Sequence, residues 1–172
     1  DSPYYVRSDD FDGGQKLMRH IIALGHSHIG MISVPEDSND AITRRLMGMQ
    51  AVAEEAGVTF VNMPILYGDY SIDSGKTATR KLLQAHKQLT AIICLNDRMA
   101  FGAINEAQKH GRQVPDDLSV VGYDNLSTSA MITPSLTTID QHALTLGKHA
   151  AQMLFDVLRG ENPDPVVLQT DL

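Results

Sequence analysis

The stretch that decides the fold runs from Thr90 to Asn125, TAIICLNDRMAFGAINEAQKHGRQVPDDLSVVGYDN. It opens with a nearly continuous apolar run at 91–95, passes into a helix-period segment at 98–110, and ends in a second β-branched run at 118–123. Gly111 follows the helical segment, where a glycine takes the left-handed turn that ends a helix. Strand, helix and strand in about 35 residues is a βαβ unit. The two runs do not alternate apolar and polar residues, so their strands are expected to be covered on both faces, as in a parallel sheet sandwiched by helices.

The same pattern extends outward. Strands are expected at 28–34 and 60–66, after a first extended run at 4–7, and helices at 12–24, 41–56 and 71–85. Leu17, Ile21 and Leu24 fall on one helical face, and Gly25 and Gly57 are stop signals. Beyond Asp124 the alternation breaks: an irregular loop at 125–134, an extended SLTTID at 135–140, a long helix at 142–159, a Pro-rich turn, and a closing run at 166–172 with strand character but no evident partner. The expected class is α/β, three layers around a parallel sheet, with no internal repeat or low-complexity tract.

Composition narrows the function classes. The 172 residues, 42% hydrophobic and 20% charged, suit one or two soluble lobes. Apolar runs such as 91–95 fall far short of the roughly 20 residues that span a bilayer, so no transmembrane helix is expected. The chain begins at Asp1, and residues 1–8 lack the basic-then-apolar pattern of a secretory signal, so the start reads as an internal cut. Cys94 is the only cysteine; it excludes an intramolecular disulfide, suits a reducing cytosol, and reads as a small core residue. Fourteen Lys and Arg against 21 Asp and Glu give a net charge of −7 without a basic cluster, so these residues alone offer no nucleic-acid face.

In an open parallel α/β sheet, loops and helix starts converge beyond the carboxyl ends of the strands, and ligands bind there. Reading just past each expected strand gives Ser8 and Asp9, then Arg45, then Asp69 and Tyr70, then Asn96 and Asp97, then Asp124 and Asn125. This set suits a neutral polyol: carboxylates accept from hydroxyls, a guanidinium donates, an amide does both, and an aromatic face covers the C–H side of a sugar ring. The plainer reading is helix capping, open to Asp9, Asp12, Asp97 and Asp124, and favoured for Asp12 because Gln15 completes a capping box. One of the adjacent pair Arg44 and Arg45 is expected to be solvated.

Catalytic motifs are harder to assemble. The sequence has no nucleophile elbow, phosphate-binding loop or zinc-protease motif, and the DGG at 12–14 lacks dinucleotide-fingerprint spacing; its glycines suit a tight turn and close helix packing. His26 and His28 have no third ligand nearby in sequence, so a hydrogen-bonded role is preferred to a metal, and no cofactor is assigned. Met18, Met47, Met99 and Met153 read as helix-packing residues.

Four segments in order then point to a family. The stretch DDFDGGQKLMRHIIALGHSHIGMIS, the helix RRLMGMQAVAEEAG, the block from Thr90 to Asn125 and the closing PSLTTIDQHALTLGKHAAQML together resemble the effector-binding domain of LacI/GalR-type transcriptional regulators over nearly the whole chain. That family resembles periplasmic sugar-binding proteins, with two α/β lobes hinged about a cleft. The resemblance implies that residues 1–8 are a crossover remnant of the N-terminal lobe and 9–140 the C-terminal lobe. It makes 141–165 a helix and turn of the N-terminal lobe and 166–172 a strand returning to the C-terminal lobe, with a DNA-binding head and much of one lobe lying outside this sequence.

Matched position by position, the resemblance implies that Asp9, Arg45, Asn96 and Asp124 contact the effector and that Tyr70 stacks on it, with Ser8 and Arg98 as further contacts. It implies a small-molecule effector, a sugar in preference to a purine, and a homodimer with Phe101 and Ile132 at the interface. Operator DNA would be reached through an N-terminal helix-turn-helix, in the cytoplasm, with no membrane partner and no enzymatic activity. A periplasmic sugar-binding protein serving a transporter is the alternative with the same fold and cleft.

Overall fold

Each apolar run finds a parallel neighbour. A computed structural model of the chain describes residues 3–35 and 40–172. In chain order the elements are β1 (Val6–Ser8), α1 (Asp10–Ala23), β2 (Ile29–Ser33), α2 (Asp40–Glu55), β3 (Ile65–Tyr67), α3 (Ile72–Ala85), β4 (Ala91–Cys94), α4 (Asp97–Lys109), β5 (Ser119–Asp124), β6 (Thr137–Asp140), α5 (Ala143–Leu158) and β7 (Val166–Leu168). Strands β2 to β6 form one parallel sheet in the order β3-β2-β4-β5-β6. The order reverses direction between β2 and β4, which makes that junction the topological switch point of the sheet.

Every residue of β2 and β4 is buried, which explains their lack of alternation. Helices α1 and α2 pack together, as do α3 and α4, and both crossings are made by glycines. A Cβ on Gly14 would stand 2.2 Å from the Arg45 carbonyl oxygen, and one on Gly48 2.1 Å from that of Phe11. A Cβ on Gly75 or Gly102 would likewise stand 2.2 or 2.1 Å from the Met99 or Ile72 carbonyl oxygen. The helices of each pair therefore touch backbone to backbone. Gly13 and Gly14 serve packing inside α1 rather than a turn, so the turn half of the DGG expectation is corrected.

Several boundaries move for physical reasons. The expected strand at 60–66 becomes a 3-10 turn at Phe60–Asn62 followed by β3, because Pro64 has no amide hydrogen for the ladder and contributes its carbonyl to Met31 instead. Helix α1 starts at Asp10, with Asp9 as its cap, two residues before the expected start. The closing run pairs β7 with β1, in parallel, as a separate two-stranded sheet; Asp171 alone bridges back to Asp140 of β6. Helix α5 packs on β1.

Gly25, Gly57 and Gly111 adopt left-handed φ at the helix ends, as does Gly160 after α5. Cys94 is fully buried, and desolvation pushes its thiol up, so it behaves as a core residue. Met18 and Met99 are wholly buried and Met153 nearly so, but Met47 is 56% exposed and is no packing residue. His26 bridges Thr90 Oγ1 at 2.9 Å and Ser119 Oγ at 3.0 Å, tying the amino ends of β4 and β5, while burial lowers its pKa. No described helix is long and apolar enough to cross a membrane.

Candidate functional site

The cluster is built around Arg45, which the second turn of α2 carries beneath the rim of the sheet. Its side chain is 7% exposed, and its Nε donates to Asp10 Oδ1 at 2.9 Å. Its Nη1 donates to the Leu95 carbonyl at 2.9 Å, just past β4, so the guanidinium crosses the switch point. Its Cζ lies 3.6 Å from the centroid of the buried Tyr123 ring. A guanidinium this deeply buried requires a paired charge and satisfied donors, and Asp10, Leu95 and the ring supply them. Arg44, by contrast, pairs with Asp40 at the surface, as expected of one member of the pair.

Asp10 accepts from Arg45 and from Tyr123 Oη at 3.3 Å. It lies on the stripe of α1 that continues through Gly13, Gly14, Leu17, Met18 and Ile21, all buried. Extending the helical period backward from Leu17 identifies Asp10 as the inward carboxylate of the Asp9-Asp10 pair; a reading by strand end alone passes over it.

Gln141 is the second residue that the strand-end reading missed. It follows β6 as Asn96 follows β4, so the same rule carried one strand further finds it. Its Nε2 donates to Asp124 Oδ1 at 2.5 Å, and its Oε1 accepts from Arg45 Nη2 at 3.3 Å. Ser8 Oγ lies 3.2 Å from the same Oε1 and 3.3 Å from Asp10 Oδ2, with one proton to give. Arg45, Asp124 and Ser8, which sequence placed on one rim, are thus gathered around one amide.

Asp124 has a left-handed φ of 122° at the end of β5. Burial pushes its carboxyl up to about 6; Arg45 and the Gln141 amide pull it down, while Asp97 and Asp10 push it further up. A carboxyl titrating there holds both proton states near neutral pH.

The remaining candidates fall at the edges of this cluster. Asn96 caps α4, its Oδ1 accepting from Met99 N at 2.9 Å, and its Nδ2 donates at 3.2 Å to the carbonyl of Tyr70, itself at φ 67°. These bonds tie Asn96 to the Tyr70 turn. Asp9 accepts from Asp12 N at 3.1 Å and so is the cap of α1. Asp12, expected to be that cap, instead pairs with Lys16 and Thr170, because the helix begins two residues earlier. Asp97 accepts from Leu126 N, Ser129 Oγ and Thr138 Oγ1 at 2.8, 2.6 and 2.5 Å, which occupies it in holding the loop after β5. Arg98 is exposed on α4, and Phe101 and Ile132 are partly buried against the core of their own lobe.

Fold and rim together define a class: a doubly wound α/β domain whose polar groups converge past the strand ends at the switch point. The chain belongs to the periplasmic binding protein-like domain family, which matches residues 18–171, and its relatives are LacI-family transcriptional regulators. The HTH-type transcriptional regulator CelR of Thermobifida fusca is 33% identical over 170 residues, covering 98% of this chain and 50% of that protein. The solved CelR–cellobiose complex superimposes with a TM-score of 0.90 at 33% identity, covering 98% of this chain and 52% of that one. The HTH-type transcriptional repressor PurR of Pectobacterium atrosepticum is 36% identical over 159 residues, 92% of this chain and 46% of that protein. A LacI-family regulator from Enterococcus faecium with bound ribose superimposes with a TM-score of 0.91 at 29% identity, covering 98% and 62% of the two chains. The chain spans about half the length of the curated relatives it matches.

Proposed function

We propose that this chain is the ligand-sensing part of a LacI-type transcriptional regulator, taking a small sugar at the carboxyl rim of its parallel sheet. The observation that carries this reading is the gathering of Arg45, Asp124 and Ser8 around Gln141 at the switch point, where a sugar's hydroxyls meet both donors and acceptors. In the proposal Arg45 donates to ligand oxygens and Asp124 accepts from ligand hydroxyls. Asn96 and Asp9 add polar contacts, Tyr70 covers the apolar side of the ring, and Ser8 and Arg98 border the site. No catalytic role or cofactor is assigned.

Residues 9–140 form one lobe in this reading, and β1, α5 and β7 belong to the facing lobe or its crossings. Ligand binding biases a two-state hinge between lobes, and a DNA-binding head on the same protein gains or loses operator affinity. A homodimer through α4 and the loop that holds Ile132 and the exposed Met131 sets the spacing of two heads. The kinship to regulators favours this reading over a transporter's binding protein, and in the proposal a protein that works on operator DNA acts in the cytoplasm. A nucleobase ligand is the second reading, favoured by the aromatic at Tyr70, whose face can stack on a planar base.

Isothermal titration of the full-length protein with D-ribose, cellobiose and adenine tests the site. Arg45→Ala and Asp124→Ala are each expected to abolish binding of the best probe; undiminished affinity in both variants overturns the assignment.

A further inference from the structure

Gln141 occupies the groups to which the ligand is assigned. Its side-chain amide satisfies, at once and with the correct polarity, a carboxylate and a guanidinium: Nε2 toward Asp124, Oε1 toward Arg45. It also sits on the two-residue passage from β6 to α5, between Asp140 and His142, whose φ is 54°. The same oxygen lies within reach of Ser8, the last residue of β1 before α1, so one side chain touches two of the passages between the five-stranded sheet and the β1–β7 sheet.

We infer that Gln141 is an internal stand-in for the ligand: its amide holds Arg45 and Asp124 in their binding geometry, must leave when a hydroxyl- or amide-bearing ligand arrives, and in leaving frees these two inter-sheet passages from each other. This rests on the assignment of Arg45 and Asp124 to the ligand. An amide carries one donor face and one acceptor face, the same complement that a pair of sugar hydroxyls or a nucleobase edge presents. The two cannot share Asp124 Oδ1 and Arg45 Nη2 at full strength, so binding is an exchange of hydrogen bonds, and the apparent affinity is lowered by the fraction of molecules in which the amide is seated. Asp140 Oδ1 accepts from His142 N at 2.7 Å and Asp140 bridges to Asp171, so the passage keeps these ties when the amide gives up Asp124, Arg45 and Ser8.

The test uses the full-length protein in three forms, wild type, Gln141→Ala and Asp124→Asn, titrated with D-ribose, cellobiose and adenine. Gln141→Ala is expected to bind at least one of these probes roughly tenfold more tightly than wild type, the scale of one or two exchanged hydrogen bonds. Equal or weaker binding of all three overturns the inference. Loss of binding in Asp124→Asn without a gain in Gln141→Ala refutes this inference alone; unchanged binding in Asp124→Asn refutes the ligand site beneath it.

A second readout needs no ligand. Asp124 is faced by Arg45 from α2, Asp10 from α1, Asp97 from α4 and the Gln141 amide, and of these only the amide is removed in Gln141→Ala. The carboxyl carbon of Asp124, followed by NMR, is expected to titrate at a higher pH in that variant. An unmoved midpoint shows that the amide is not seated and overturns the inference.

Discussion

Helix α1 buries Asp10, Gly13, Gly14, Leu17, Met18 and Ile21 along one stripe, whereas α5, two residues longer, buries Met153 alone and leaves Leu144, Leu154, Phe155 and Leu158 more than half exposed. Both helices have the apolar periodicity that asks for cover. In the five-stranded lobe the cover is α2 on one side and the sheet on the other; beside the β1–β7 sheet, α5 packs chiefly on β1. The difference teaches that periodicity announces a face to be buried without saying what buries it. It also separates residues on which this lobe's folding depends from residues that await another surface.

The sharpest way to break the comparison is at the glycine crossings. Gly48→Leu or Gly102→Leu drives a side chain into a neighbouring backbone carbonyl, which cannot swing away, and is expected to cost more than about 4 kcal/mol or prevent folding, read by thermal denaturation. Tolerance of both substitutions would mean that the helix pairs are not in backbone contact. Next in size, Asp10→Ala leaves the Arg45 guanidinium buried without its counter-charge, at an expected cost of about 3 kcal/mol, with ligand binding lost as well.

Asp124 gives an effect with the opposite sign. Its folded-state pKa of about 6 lies above its ordinary value, so the folded protein holds that proton more tightly and the penalty of burying the charge grows as pH rises through that window. Asp124→Asn is therefore expected to raise stability by on the order of 2 kcal/mol at about pH 7.5, a gain that fades by about pH 4. Equal gains at both pH values would show that the carboxyl is not desolvated. Smallest of all, the double change Leu154→Ser and Phe155→Ser on α5 is expected to alter the stability of this chain by no more than about 0.5 kcal/mol while lowering its binding of an apolar dye. A large loss would show that this face is covered within the chain.

The same contrast explains what was legible beforehand. Strands β2, β4 and β5 announced themselves because burial on both faces leaves an unbroken apolar run, and the helix stops did because Gly25, Gly57 and Gly111 satisfy a strict backbone requirement. β3 was misplaced because Val61 and Phe60 look like strand residues, while the deciding term was the absent amide hydrogen of Pro64. β7 had no readable partner because its pairing with β1 joins residues about 160 apart, and no local pattern encodes such a register.

At the rim, residue types and strand ends located Arg45, Asp124 and Ser8, yet not the groups that hold them. Asp10 was hidden by its neighbour Asp9, and only the phase of the helix distinguishes a cap from a buried counter-ion. Gln141 follows β6, beyond the loop where the strand–helix alternation breaks, so no regular βα pattern marks it as a rim position. Asp12 was misread as a cap because a capping box resembles any acidic first turn, and the start of α1 is fixed by Asp9 and by the Leu168 carbonyl that receives the Asp9 amide.

The reciprocal glycines between α1 and α2 bear on how a signal leaves the rim. With carbonyls seated against Cα atoms, the pair has no compressible layer in which a small shift of the Arg45 backbone would be absorbed as side-chain rearrangement. A displacement of Arg45 is therefore expected to carry α1 with it, toward the amino ends of β4 and β5 that His26 ties together. The pair is expected to move as one body, with the short passages at Ser8 and Gln141 among the places that yield.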